Sequence, residues 1–296
     1  MLKVISFLTF LFLSTLTLAQ NSINGIVNTY ASAQRIDTAN YSISTSAAGH
    51  FSPGDLVMII QMQGAEIDES LSNSFGTITN YNAAGQYELQ RVCNKTGNNL
   101  YFTNPFLNPY DTAGKLQLIK IPEYANGASL NDSLTGQRWN GSTGGVVAIK
   151  VDGQLDLGSF SISMNEKGFR GGEALPSGGG CIFLSPQTQY TSRNSANDQA
   201  LKGEGIAAYI AGKECSRGPQ ANGGGGGNNH NGGGSGGSNY GIGGAGGQRV
   251  KSSSFSCGSV VGLNSKSLSS EINDGRIFLG GGGGAGGQGG LRRHGD

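Results

Sequence analysis

The chain has 296 residues, a net charge of +1, 13% charged residues and 53 glycines. So small a net charge supplies no field to draw in nucleic acid or anionic lipid, and few charges with little imbalance do not suit a charge-driven disordered chain. The composition implies a polar, glycine-rich β protein of one or two domains.

Lys3, the apolar run over residues 4–18 and the small residues ending at Ala19 have the order of a secretory signal peptide. The run is shorter than the roughly 20 residues that span a bilayer as a helix. Cleavage near Ala19 is therefore expected, and with it a secreted or outer-surface location. From 20 to 140 the chain reads as strands and turns. Residues 23–30 are a first strand, and Pro53-Gly54-Asp55 is a turn, because proline fixes φ and glycine permits positive φ. The continuous apolar run 56–60 and the alternation through Gln61-Met62-Gln63 suit a buried strand better than a helix. Residues 75–81, 87–93, 99–103 and 115–121 repeat the pattern, and Pro122 ends the last. Turn signals this close together predict a small antiparallel barrel or sandwich.

Trp139-Asn140-Gly141-Ser142-Thr143-Gly144-Gly145 reads as a domain junction. Beyond it, residues 146–151, 154–157 and 160–164 are short strands separated by one or two residues, as on one coil of a stacked β-solenoid. Residues 181–184 and 276–279 are candidate strands of later coils. No fixed period is present, so the expected second region, 141–290, is a short irregular solenoid with glycine-rich tracts, followed by a tail over 291–296. Residues 187–202 read as a polar loop and 205–211 as a strand or one helical turn. The tracts 223–247 and 280–290 have two readings. One is a flexible linker, since ordering glycine costs the most backbone entropy. The other is extended backbones packed closely, without the strict three-residue glycine period of collagen.

No catalytic, cofactor-binding or metal-binding residue is assigned. Of the three histidines, His230 lies inside glycine and His294 in the tail, leaving His50 as a turn residue. No G-x-S-x-G or H-E-x-x-H is present. Gly203-Glu204-Gly205-Ile206-Ala207-Ala208 matches a dinucleotide fingerprint, but a polar stretch precedes it where a strand must enter. Gly212-Lys213 ends like a phosphate loop, with Glu214 where the hydroxyl residue belongs. Calcium needs converging oxygens, and the tracts hold Asn, Ser and Ala in place of Asp; Glu66-Ile67-Asp68-Glu69 reads as a solvated acidic loop. Cys93, Cys181, Cys215 and Cys257 allow three full pairings in an exported chain. Cys215 with Cys257, bracketing the main tract, is the disulfide candidate because a bridge there removes loop entropy from a floppy segment.

Four stretches carry a resemblance: residues 54–65 (GDLVMIIQMQGA), 81–88 (YNAAGQYE), 139–146 (WNGSTGGV) and 167–172 (KGFRGG), joined by the block 221–247. Together they resemble the N-terminal region of very large glycine-rich surface proteins of Bacteroidetes-type bacteria. The resemblance implies export, often with a separate C-terminal sorting domain of the gliding-associated (type IX) kind, and it carries no catalytic residues. The basic ending Leu291-Arg292-Arg293-His294, just past the second tract, leads to the expectation of a truncated copy of a longer protein. The functional expectation is a structural or adhesive surface module without catalysis or cofactor, whose partner is an extracellular polysaccharide or protein. The alternative is a carbohydrate-active β-helix enzyme of the polysaccharide lyase or hydrolase type, for which Asp152, Asp156, Glu166, Lys167 and Arg170 are the candidates.

Overall fold

The computed structural model describes residues 21–173, 189–193, 200–228, 232–248, 260–268 and 275–287. It is all-β. Seven strands form an antiparallel sheet: β2 (Thr29–Ser32), β3 (Arg35–Asp37), β4 (Ser42–Ser44), β5 (Leu56–Gln61), β8 (Tyr87–Thr96), β9 (Asn99–Phe102) and β10 (Leu116–Ile121), in the order β2-β10-β5-β8-β9-β4-β3. Long β8 pairs with β5 through its first half and with β9 through its second, across a bulge between Val92 and Asn94. A bulge bends the strand that carries it. The two edge strands, β2 and β3, are consecutive in the chain and separated only by Ala33-Gln34. The sheet curls but is not a closed barrel, which corrects the barrel expectation.

The apolar run of β5 is buried on both faces. Val57 and Ile59 enter an inner core with Ile43, Phe51, Leu100, Phe102, Leu116 and Leu118. Met58 and Ile60 point the other way, into a second core with Ile119, Trp139, Phe169, Ile206 and Leu279. A strand alternates its side chains, so a run without polar gaps requires a cover on each side. The second cover is the glycine-rich half of the chain. Trp139 is 1% exposed and packs T-shaped with Phe169, the ring centres 5.6 Å apart. Gln117 of β10 fixes the adjoining turn, donating to the Gly144 carbonyl at 3.0 Å and accepting from its N–H at 2.9 Å.

The expected first strand is split. Gly25 has φ +55. Before it, β1 (Asn21–Ile23) joins a parallel ladder with β12 (Ala128–Leu130) and β14 (Leu155–Asp156); after it, β2 joins the large sheet. β11 (Glu123–Tyr124) pairs in parallel with β13 (Lys150–Val151). Glu123 to Lys150 and Ala128 to Leu155 are each 27 positions apart, and a further bridge joins Leu134 to Ile162. These parallel pairings join residues 123–134 to 150–162 at an offset of 27 or 28 positions, and the expected strands over 146–151, 154–157 and 160–164 reduce to β13, β14 and the single bridge at Ile162. β6 (Glu66–Ile67) and β7 (Ile78–Asn80) make a small hairpin.

Glu123 ties these parallel pairings to the sheet. It takes two hydrogen bonds at 2.7 Å from Arg91 and one at 3.0 Å from Lys150. These donors hold its carboxyl down at about 2. A lowered carboxylate contributes stability above its unfolded value that is lost as pH falls through the folded one. The cluster is partly exposed, so its worth is small. Glu123→Gln is expected to lower stability by up to about 1 kcal/mol at pH 7 and to match the parent at pH 2, as read by urea unfolding.

Beyond Gly168 the described chain is not a regular solenoid. Residues 276–279 are not a strand, 205–211 make only one bridge, Ala207 to Ala65, and 181–184 lie outside the described residues. Glycine-rich segments run extended and bond sideways to several neighbours. The N–H groups of Gly281, Gly284 and Gly287 donate to the carbonyls of Ser238, Ser235 and Gly232, while those of Gly282 and Ala285 donate to Glu204 and Leu201. The carbonyls of Gly282 and Ala285 accept from Gly224 and Gly227, and those of Gly280 and Gly283 from Phe169 and Gly172. Every series steps by three, the period of a polyproline II helix, whose own backbone groups are all free for partners. One segment is thus bonded to four others. A Cβ on Gly282 would lie 1.8 Å from the Arg170 carbonyl oxygen, and one on Gly203 1.9 Å from that of Gly282. Close packing requires glycine here, so the described parts of both tracts are ordered scaffold and not linker. Among the described residues no helix is long and apolar enough to cross a membrane.

Candidate functional site

Where the glycine lattice meets the sheet there is a cavity of about 490 Å³ lined by Gln63, Lys115, Arg170, Glu173, Lys202, Glu204, Tyr209 and Glu214, among others. The lattice sets its wall. Glu204 donates its N–H to the Arg170 carbonyl at 3.0 Å and accepts from Gly282 at 2.9 Å, which fixes its backbone between these two segments. Its carboxylate accepts from Trp139 Nε1 at 3.1 Å and from the N–H and Nε of Arg170 at 3.0 Å each. The second oxygen takes Arg170 Nη2, completing a fork on a carboxylate, the stronger class of charged hydrogen bond. Glu204 raises the Arg170 guanidinium above its ordinary value.

Tyr209, 67% exposed, lines the cavity. Its hydroxyl donates to Glu214 Oε1 at 2.8 Å, and the Gly212 N–H donates to the same oxygen at 2.9 Å. That carboxylate raises the phenol above its usual range. At the inner end, Gln63 Nε2 donates to the Gly205 carbonyl at 2.9 Å. Lys202 is buried, and among the described residues its ammonium has no hydrogen-bond partner. It lies 4.2 Å from the centre of the Phe75 ring, and burial lowers it to about 7.

The five residues considered for a carbohydrate-active enzyme are not assembled. Arg170 lines this cavity and a second one of about 630 Å³; Glu166 lines only the second, paired with Arg138 at 3.1 Å. Asp152 and Asp156 line neither cavity; the first lies 3.8 Å from Lys150 and the second accepts from the Gly158 N–H. Lys167 also lines neither. Glu204, Lys202, Tyr209 and Glu214 were not singled out from the sequence as site residues. The available signal was an unusual density of charge, Lys202, Glu204, Lys213 and Glu214, within a glycine-rich stretch.

The lookalike motifs have structural explanations. No helix leaves Gly205, whose Cβ would meet the Gln220 carbonyl oxygen at 2.2 Å. Lys213 forms an ion pair with Glu69, and the acidic stretch read as a solvated loop begins with strand β6, whose Ile67 is buried. His50 ends a short 3-10 turn. Among the described residues no three His, Cys, Asp or Glu side chains converge to hold a metal ion. Cys215 is fully buried, and burial pushes its thiol up to about 11, which keeps it protonated and unreactive at neutral pH. Its candidate partner Cys257 and the residue Cys181 lie outside the described residues, as do His230 and His294; Cys93 is exposed.

No family model and no curated protein matches the chain. Among solved structures it is similar, over 39% of its length, to the gp54 tailspike of Acinetobacter baumannii bacteriophage AP22 in complex with A. baumannii capsular saccharide, with 19% identity and a TM-score of 0.23. It is similar to the same extent to the tailspike protein gp49 from Pseudomonas phage LKA1, with 14% identity and a TM-score of 0.23. The matched part spans 17% and 20% of those chains.

Proposed function

We propose that this protein is an exported, non-catalytic structural or adhesive module of the cell surface, and that it binds polysaccharide through the cavity at Tyr209. The observation that carries this reading is the state of the two central carboxylates. Glu204 is engaged by Trp139 and Arg170, and Glu214 by Tyr209 and the Gly212 N–H. A general acid or base must meet the proton it moves in the bound substrate. Carboxylates already committed to internal donors hold the cavity's shape instead. An exposed aromatic ring beside a few fixed polar groups suits a sugar, which has apolar faces and hydroxyl edges. The glycine lattice supplies a stiff support, and the leader-like sequence over residues 1–19 supports export.

The test is to incubate the purified protein with a panel of soluble and insoluble polysaccharides and to follow both retention and new chain ends. Retention on at least one glycan without release of reducing or unsaturated ends is the expected result. Turnover that disappears in Arg170→Ala or Asp156→Ala would establish the enzyme alternative. Export is checked separately by sequencing the N-terminus of protein recovered outside the cell, expected near Gln20.

A further inference from the structure

Two cavities share a wall. The one described above and another of about 580 Å³ both include Lys115 and Tyr209, and the second continues past Asn82 and Asp111. Ala207 lines the first and Ala208 the second, so the chain crosses from one to the other directly at Tyr209. The ring is fixed at that crossing. The Glu214 carboxylate holds its hydroxyl, the Gly212 N–H holds that carboxylate, and the Ala208 N–H bonds to the Ala65 carbonyl at 2.9 Å. An exposed aromatic side chain anchored by its polar tip presents its face at little cost in rotamer entropy on binding.

The charges select the ligand. Arg170 is matched by Glu204 at the far end. The ammonium of Lys202 is buried. Counted over both cavities, the cations Lys115, Arg170 and Lys202 stand against the carboxylates Asp111, Glu173, Glu204 and Glu214. A polyanion entering this track meets more carboxylates than cations, and like charges brought together on binding are unfavourable. An uncharged chain carries nothing for these carboxylates to repel, and its hydroxyls can bond to them.

The geometry points to a continuous binding track for an uncharged, linear polysaccharide, with sugar units in both cavities and one stacked on the Tyr209 ring between them. This rests on the polysaccharide-binding reading above and goes beyond it in naming the ligand charge, the extended site and the residue at its centre. Sugar hydroxyls reach Lys115 and Glu173 in the first cavity and Asn82 and Asp111 in the second.

Affinity electrophoresis and calorimetry on the purified protein test it, with soluble mannan, xyloglucan and dextran as uncharged probes and alginate and polygalacturonate as polyanions. At least one uncharged glycan is expected to bind, and both polyanions to bind at least tenfold more weakly. Tyr209→Ala is expected to weaken binding tenfold or more, and Tyr209→Phe, which keeps the ring face, by less than about threefold. Tyr240→Ala removes an equally exposed tyrosine that lines neither cavity and is expected to change nothing. Unfolding midpoints report whether each variant is intact, and shorter oligosaccharides of the bound glycan are expected to lose affinity stepwise. Full binding by Tyr209→Ala, or a preference for the polyanions, would overturn the track while leaving the surface-module reading in place. Failure of every glycan on the wider panel to bind would overturn both.

Discussion

Gly282→Ala is expected to destabilise the protein by about 3 kcal/mol, whereas Gly244→Ala is expected to be neutral or to stabilise it by up to about 1 kcal/mol. The two glycines belong to the same kind of extended, glycine-rich chain. They differ in what a methyl group would meet. At Gly282 the new carbon would lie 1.8 Å from the Arg170 carbonyl oxygen and 2.4 Å from its carbon. Those atoms are backbone, and the Arg170 strand is pinned by Glu204 through both its amide and its guanidinium. Neither chain can move without breaking hydrogen bonds to a third. At Gly244 nothing lies within 4 Å and φ is not in the left-handed region. There the methyl group only narrows the unfolded ensemble. Urea unfolding of the two variants beside the parent reads the difference as a change in midpoint at constant slope. Equal midpoints for Gly282→Ala and Gly244→Ala would mean that the glycine segments are not packed in solution, and the linker reading would return.

The same lattice marks the limit of what the sequence discloses. The run 56–60 was legible as a buried strand because five apolar residues in succession demand cover on both faces. It could not say that the second cover comes from Trp139, Phe169, Ile206 and Leu279. The split of residues 23–30 had a visible cause in Gly25, but apolar continuity across it suggested a single strand. Where a side chain alternates or recurs, its spacing records the geometry of the backbone. Polyglycine leaves no such record, since every position carries the same hydrogen atom. The three-residue period is written only in the hydrogen bonds, from Gly281, Gly284 and Gly287 to Ser238, Ser235 and Gly232. The candidate site was hidden for a related reason. Arg170 and Glu204 are 34 positions apart, and what brings them together is the bonding of their strands within the glycine lattice, which no local pattern announces.

Lys202→Met is expected to stabilise the protein by about 2 to 4 kcal/mol at pH 6 and by little above pH 10.5. In the unfolded chain Lys202 keeps an ordinary value near 10.5, and in the folded protein burial lowers it to about 7. Between these values the unfolded state binds more protons than the native state, so stability rises with pH across that window. Below about 7 both states are charged and the penalty for burying the ammonium is present in full. The shift alone corresponds to about 4 to 5 kcal/mol. Against this stands the attraction between the ammonium and the Phe75 ring at 4.2 Å, about 2 kcal/mol for a desolvated pair. Desolvation wins, and the neighbouring groups do not reverse it: Cys215, Glu214 and Glu69 favour the charged form and Lys213 opposes it, each weaker than burial itself. Methionine fills the same space beside Phe75 with a flexible apolar chain and no charge. Unfolding free energies of parent and variant, measured from pH 5.5 to 10.5, are expected to converge as pH rises. A constant gap across that range would show that Lys202 stays ionised in the folded protein, with solvent or a counter-charge reaching it. A loss of stability at pH 6 would show that the stacked ammonium holds Phe75 and the core around it in place.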